Sequence, residues 1–146
     1  MEMVIFVGAQ ASGKSSFFKQ RFGDSHVRIN LDMLRTRHRE SIMIKASFEA
    51  RQRFVVDNTN PNRQDRLRYF TLAKSFRFRA IGYYFQSSIQ DCIDRNKGRA
   101  VAARVPERAI VSTIQKLEVP RLNEGFDELH FVRIVDDGFV VEDWRP

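Results

Sequence analysis

The sequence predicts an α/β fold in three layers: a mostly parallel sheet with helices on both faces and a C-terminal antiparallel hairpin. Three observations predict it. Short apolar runs alternate along the chain with segments of helical spacing. The runs are apolar at consecutive positions, as strands covered on both faces require. Gly8, Asp32 and Asp57 fall at or just past the carboxyl ends of the first three runs, where such sheets bind ligands.

Residues 3–7 form an apolar run with β-branched members, stopped by Gly8, and read as a buried strand. Residues 14–22 set Phe17, Phe18 and Phe22 on one helical face. A second strand is expected at 27–30 and a helix at 40–52. Phe54-Val55-Val56-Asp57 is the third strand. Asn60 then reads as an N-cap with Pro61 at the first helical position, and Leu67, Phe70 and Ala73 as that helix's inward face. Residues 79–85 are a fourth strand. Ser88 with Asp91 predicts a capping box for a helix with an apolar face of Ile89, Cys92 and Ile93. Pro106-Glu107 opens the last helix, whose Ile110, Ile114 and Leu117 are spaced by four and three. Residues 128–135 are a fifth strand, and Asp137-Gly138 turns it back into 139–141.

At 146 residues the chain is expected to be one domain, 1–146, long enough for a single core. A hydrophobic fraction of 42% and a charged fraction of 29% suit a soluble globular protein, and most of the 13 Phe must be core. One cysteine, Cys92, cannot make an internal disulfide, so nothing asks for an oxidising compartment. The N-terminal apolar run follows an acidic residue and is too short for a signal peptide. No segment approaches the roughly 20 apolar residues of a membrane span. The expectation is a cytoplasmic protein without a membrane partner.

The formal net charge of +7 is uneven. Residues 28–53 hold seven Lys/Arg against three Asp/Glu, and residues 63–79 hold six against one. From Leu117 onward the sign flips, with eight acidic residues against three basic. A basic body with an acidic tail suggests a polyanionic partner, nucleic acid or a phosphorylated substrate. The alternative is a solvated basic surface.

Gly8-Ala9-Gln10-Ala11-Ser12-Gly13-Lys14-Ser15 fits G-x-x-x-x-G-K-[ST] at every fixed position, with a strand before it and an amphipathic helix after it. This identifies the three-layer P-loop NTPase/kinase fold. Gly8 and Gly13 let the backbone turn tightly and leave no side chain between peptide N–H groups and phosphate oxygens. Those amides and the helix start form an anion site. Lys14 supplies a mobile positive charge for the β- and γ-phosphates, and the Ser15 hydroxyl is a hard oxygen ligand for Mg²⁺. Gly8, Ala11, Ser12, Gly13, Lys14, Ser15 and Ser16 are therefore the candidate binding residues for ATP.

Asp32 follows the second strand and lies near this loop in such a sheet. A carboxylate there can accept the proton of an attacking hydroxyl, as a kinase base must; the other reading is that it caps the next helix. Arg35, one helical turn on, can hold a phosphate in a bidentate fork. Asp57 ends the third strand like a Walker B aspartate, which places it near the metal through water, while an Asx turn into Asn60 is a compatible reading. Arg95-Asn96-Lys97-Gly98-Arg99, with Arg104 beyond, resembles a lid over the triphosphate at about 95–105, with Arg95 and Arg99 as candidate phosphate contacts. The other reading is an exposed basic loop. His26, His38 and His130 show no metal spacing with Cys92, so no zinc site is expected.

These residues resemble the kinase module of the polynucleotide kinase-phosphatase family, P-loop kinases with an AAA-type ATP-binding domain. The likeness runs from Val4 to about Ile134. It rests on the phosphate loop, Asn30-Leu31-Asp32, Val56-Asp57-Asn58-Thr59-Asn60-Pro61, Arg95-Asn96, Val105-Pro106-Glu107, and the run from Glu118 through Pro120 to Glu124-Gly125-Phe126. The resemblance implies ATP-dependent phosphorylation of a 5′-hydroxyl end of DNA or RNA. It also implies that Lys14 and Ser15 handle ATP and Mg²⁺, that Asp32 is the general base, and, more loosely, that Arg35 holds substrate phosphate. Two departures stand out. The family's lid carries Arg just after the Asn where this chain has Lys97, so Arg99 is the candidate replacement. No D-x-D-x-[TV] phosphatase motif occurs, so a kinase without the end-healing phosphatase is expected. Two other functions share the phosphate loop: a small-molecule kinase for nucleosides, sugars or antibiotics, and a nucleotide-binding switch that phosphorylates nothing.

Overall fold

Strand β1 (Glu2–Val7) is the centre of the fold because all but its first residue are buried. The computed structural model describes every residue from Met1 to Pro146. After β1 come α1 (Lys14–Arg21), β2 (Val27–Ile29), α2 (Leu31–Leu34), α3 (Arg37–Glu49), β3 (Phe54–Val56) and α4 (Arg63–Ser75). They are followed by β4 (Arg79–Phe85), α5 (Ile89–Lys97), α6 (Glu107–Lys116), β5 (Glu128–Val135) and β6 (Gly138–Asp143), with 3₁₀ turns at Val101–Ala103 and Leu122–Glu124. The sheet order is β2-β3-β1-β4-β5-β6. Every pairing is parallel except β5 with β6, which is antiparallel in the register Val135 opposite Gly138.

Alternation along β1 divides the core between two layers, since successive side chains leave a strand on opposite faces. Met3, Ile5 and Val7 pack with Phe48 of α3 and with Tyr69 and Phe70 of α4. Val4 and Phe6 pack on the other face with Phe17, Phe18 and Phe22 of the α1 segment. The abundance of phenylalanine is explained there: Phe6 meets Phe85 edge-on with ring centroids 5.0 Å apart and Phe17 at 5.8 Å. A third small cluster of Ala9, Cys92 and Ile110 fastens α5 and α6 to the start of the phosphate loop.

The expected helix start at Asn60 is corrected. The cap is Asn62, whose side chain accepts the Asp65 N–H, and Pro61 lies outside the helix. Asn60 adopts a left-handed φ of 42°, which asparagine tolerates better than most residues. Its Nδ2 donates instead to Phe6 O at 2.8 Å, tying the exit of β3 to β1. The inward face shifts accordingly. Leu67 is 51% exposed, and Arg66, Tyr69, Phe70 and Ala73 are buried, because Arg66 is drawn into an ion pair beneath the helix. Helix α3 starts three residues before the expected 40, because the Thr36 side chain accepts the Arg39 N–H, and it ends at Glu49 rather than 52. Ile89, at the first position of α5, is exposed rather than part of the apolar face. The one-turn helix α2 has no counterpart among the expected elements, because four residues carry no periodicity to read.

Candidate active site

The chain leaves β1 at Val7 and is stitched to its neighbours before entering α1. Gly8 N donates to Thr59 O at 3.0 Å, and Ala9 N to Ser87 Oγ at 3.0 Å. Gly13 has φ 100°, and a Cβ there would sit 3.0 Å from Ile134 Cδ1 and 3.1 Å from Phe139 Cε1. At Gly8 an added Cβ would meet Ser12 Oγ at 2.8 Å and Phe85 Cβ at 2.9 Å. Only glycine fits either place without displacing the loop. Gly13 caps α1 with no side-chain hydrogen bond, and no acidic residue occupies the first turn. The amides of that turn therefore face outward with the positive end of the helix dipole, ready for an anion. The buried Ser12 Oγ has no hydrogen-bond partner within the chain, the condition that a bound phosphate oxygen relieves.

Lys14 Nζ donates to the carbonyls of Gly8 at 2.9 Å and Ala9 at 2.6 Å, which folds its ammonium back over the loop. Burial pushes its pKa down to about 8, and nearby Arg99 adds to that, against the opposing pull of Asp57, Cys92 and Asp32. A charge this poorly solvated gains from an incoming phosphate.

Ser15 and Asp57 come together, joined by a residue absent from the sequence-based candidates. Arg28 on β2 donates from Nε to Asp57 Oδ2 at 2.7 Å and from Nη2 to Ser15 Oγ at 2.9 Å. Its guanidinium also lies over the Phe18 ring, 5.8 Å from the centroid. Asp57 is 1% exposed. A positive group thus stands between the two hard oxygens that would hold a divalent cation. The donor set fits Mg²⁺ once that guanidinium turns away. The signal available for Arg28 was an arginine inside a three-residue strand, which a sheet does not need.

Asp32 is exposed on the one-turn helix α2 and lines a cavity of about 580 Å³. Ala11, Lys14, Ser15, Ser16, Asp57 and Arg99 line the same cavity, together with Gln10, Arg28, Asn30 and Asn58. The cap of α2 is Asn30, which accepts the Met33 N–H at 3.0 Å, so Asp32 is not the capping residue. Arg35 ends α2 with φ 76° and is not part of the cavity lining.

The segment 95–105 closes one side of the site. Asn96 is buried and clamps both ends of it, donating from Nδ2 to Val105 O at 2.8 Å and accepting Val105 N–H at Oδ1 at 3.0 Å. Arg95 Nη1 donates to Ala11 O at 2.8 Å, underneath the phosphate loop. Lys97 points away, 3.9 Å from Glu107, while Arg99 faces the cavity. The run Glu118 to Phe126 contributes no lining residue. Its Glu124 pairs in a bidentate manner with the buried Arg66, whose Nη1 donates to Asn60 O at 3.0 Å. Gly125 has φ 134°, and an added Cβ would strike the Phe70 ring at 2.7 Å.

Against known proteins, residues 3–120 match the family described as AAA domain. A curated relative from Schizosaccharomyces pombe, a bifunctional polynucleotide phosphatase/kinase, is 30% identical over 138 residues, which cover 90% of this chain and 33% of the relative. The chain spans about a third of the length of the curated relatives it matches. The resemblance read from the sequence is met by that relative's name. Among solved structures, a gluconokinase from Sinorhizobium meliloti 1021 superposes with a TM-score of 0.62 at 19% identity, covering 92% of this chain and 83% of the other. Chaetomium thermophilum Kti12 in complex with ADP-AlF3 does so with a TM-score of 0.64 at 15% identity, covering 92% and 90%. These likenesses bear out the three-layer, mostly parallel P-loop architecture. No helix is long and apolar enough to cross a membrane. A match over most of its length, on a fold with the phosphate loop at the carboxyl edge of a parallel sheet, makes this chain a member of the AAA domain family.

Proposed function

We propose that the chain is an ATP-dependent polynucleotide 5′-hydroxyl kinase, moving the γ-phosphoryl group to a 5′-hydroxyl end of DNA or RNA. The observation that carries this reading is that Asp32 opens into the same cavity as Lys14 and Ser15, which gives a base and a phosphate cradle one shared space. The kinase name of the S. pombe relative and the basic segments at 28–53 and 63–79 support a polynucleotide acceptor. ATP is held by the first-turn amides of α1, by the Ser12 hydroxyl and by Lys14, which exchanges its two carbonyl partners for phosphate oxygens. Ser15 and Asp57 would hold Mg²⁺ once Arg28 releases them, and the ion would offset the charge of the phosphate oxygens.

Asp32 accepts the proton of the acceptor hydroxyl as its oxygen bonds to the γ-phosphorus. The bond from that phosphorus to the β,γ-bridging oxygen breaks, and ADP leaves with the electron pair. Arg99 lines the cavity from the lid side and steadies the transferred oxygens, while Arg95 supports the loop through Ala11. Arg35 is the candidate for holding a phosphate of the acceptor outside the cavity.

The test is transfer from γ-labelled ATP to 5′-hydroxyl DNA, 5′-hydroxyl RNA and a panel of nucleosides and sugars. Labelled oligonucleotides, with a rate that falls as salt rises because backbone contacts release counterions, are expected. Label on a metabolite and none on oligonucleotides turns the reading to a small-molecule kinase. Asp32→Asn is expected to keep ATP affinity and remove transfer; intact turnover would assign Asp32 another role.

A further inference from the structure

A one-turn helix has little stability of its own, since nucleation fixes several residues for a single hydrogen bond. Helix α2, which carries Asp32, must therefore be held by its surroundings. Its tethers are on the structure. Asn30 Oδ1 accepts Met33 N–H, and Asn30 Nδ2 donates to Asp57 O. The first helical amide, Leu31 N, donates to Asn58 Oδ1 at 2.9 Å. Asn58 is itself held from behind: its Nδ2 donates to Glu40 Oε2 at 2.7 Å.

Glu40 is an unusual residue to find there. It is 2% exposed on α3, yet lies outside the phosphate cavity. Its Oε1 accepts from Arg37 Nη1 at 2.9 Å, and the Tyr69 hydroxyl donates to it at 3.4 Å. Burial, with the Glu40 charge beside it, raises the Tyr69 pKa, so that hydroxyl stays protonated and a donor. A carboxylate is an acceptor only, whereas an asparagine amide has one accepting and one donating end. Only the NH₂ end of Asn58 can face Glu40. The oxygen end is thereby turned toward Leu31 N, one residue before Asp32. A reversed amide would set oxygen against carboxylate and N–H against N–H.

We propose that Glu40 is a positioning residue for phosphoryl transfer: its buried carboxylate fixes the sense of the Asn58 amide, which anchors the Leu31 N–H and so holds Asp32 at the cavity. The inference rests on the reading of Asp32 as the base. It assigns Asn58 of the Asp-Asn-Thr-Asn-Pro run to orienting the base rather than to nucleotide or metal.

The test uses the full chain with Glu40→Leu, Glu40→Gln, Asn58→Ala and the double variant Glu40→Leu/Asn58→Ala. Asp32→Asn is the reference. A misplaced catalytic group costs up to about 100-fold, so Glu40→Leu and Asn58→Ala are expected to lower kcat by about 10- to 100-fold on a 5′-hydroxyl oligonucleotide. The KM for ATP should stay within about threefold, since the phosphate loop does not touch this network. Glu40→Gln keeps an acceptor for Asn58 and should recover most of kcat. The double variant should be no worse than the poorer single one, as members of one chain are not additive. Independently of any acceptor, hydrogen exchange at the Leu31 amide should quicken in Glu40→Leu and Asn58→Ala while α3 stays protected. If Glu40→Leu does not fold, Asn58→Ala carries the same reading, because it leaves Glu40 with Arg37. Unchanged Leu31 exchange, unchanged kcat beside an inactive Asp32→Asn, or Glu40→Gln as impaired as Glu40→Leu each overturns the proposal. Full transfer by Asp32→Asn would instead overturn the base reading, with the exchange result still reporting on the tether.

Discussion

Replacing Arg66 by methionine should be among the most damaging single changes in this chain, though Arg66 does not line the cavity. The guanidinium is wholly buried and makes four hydrogen bonds: to Glu124 Oε1 at 2.8 Å, Glu124 Oε2 at 3.1 Å, Asn60 O at 3.0 Å and Glu118 O at 3.1 Å. Methionine fills much of the volume but leaves the Glu124 carboxylate, with a side chain only 3% exposed, facing a single remaining donor, Arg121 N at 2.7 Å. Stranding one member of a buried pair typically costs about 3–5 kcal/mol. The double variant Arg66→Met/Glu124→Met removes the charge as well. It loses donors to two carbonyls, worth about 2 kcal/mol together at roughly 1 kcal/mol each. The double variant should therefore be more stable than Arg66→Met alone. Urea unfolding followed by circular dichroism, with equal slopes for all variants, measures this directly. A loss below about 1 kcal/mol for the single variant, or a double variant less stable than the single, would refute the account. Nucleotide affinity should weaken too, because Arg66 holds the turn at Asn60 that is bonded to Phe6 just before the phosphate loop.

Further outcomes are expected at three residues, Lys14, Arg28 and Gly13. Lys14 has a folded-state pKa of about 8, below its ordinary 10.5, so the unfolded chain binds more protons between those values. The empty fold should gain stability from this group as pH rises from about 8 toward 10.5, seen as a growing advantage of wild type over Lys14→Met in melts across that range. ATP binding above about pH 8 should in turn take up a proton, measurable by calorimetry in buffers of different ionisation enthalpy. Arg28→Met should lower the stability of the empty chain, because Asp57 is left buried without its partner, and should tighten Mn²⁺ binding in the presence of ADP by roughly 10- to 150-fold, the equivalent of one charge-assisted bond no longer broken; equal Mn²⁺ affinity would mean Arg28 leaves without cost. Gly13→Ala should cost about 1–3 kcal/mol from φ 100° alone and abolish binding of a fluorescent ATP analogue, as the added methyl pushes on Ile134 and Phe139.

Much of the architecture was legible because it rests on local patterns. The bounds of β4 and β5 and the Ser88 cap follow from apolar runs and capping chemistry that act over a few positions, whereas the turn expected at Asp137-Gly138 falls one residue earlier, at Asp136-Asp137, with Gly138 already paired to Val135 in β6. The phosphate loop was legible for the same reason, since its glycines, lysine and serine stand within eight consecutive residues. The errors came where two local signals competed. Asn60 and Asn62 are both good caps, and the choice fell to the buried bond between Asn60 and Phe6, 54 residues apart.

The amino-acid sequence by itself determined the layering of this protein, the edges of β4 and β5 and the glycine-lysine-serine loop after β1, because each depends on neighbours in the chain. Only the tertiary structure decided that Arg28 bridges Ser15 and Asp57, that Glu40 orients Asn58 behind Asp32, and that Glu124 serves Arg66 rather than the cavity. Those contacts join different strands and helices, and the geometry of a buried polar group is set by whichever distant partner can satisfy it.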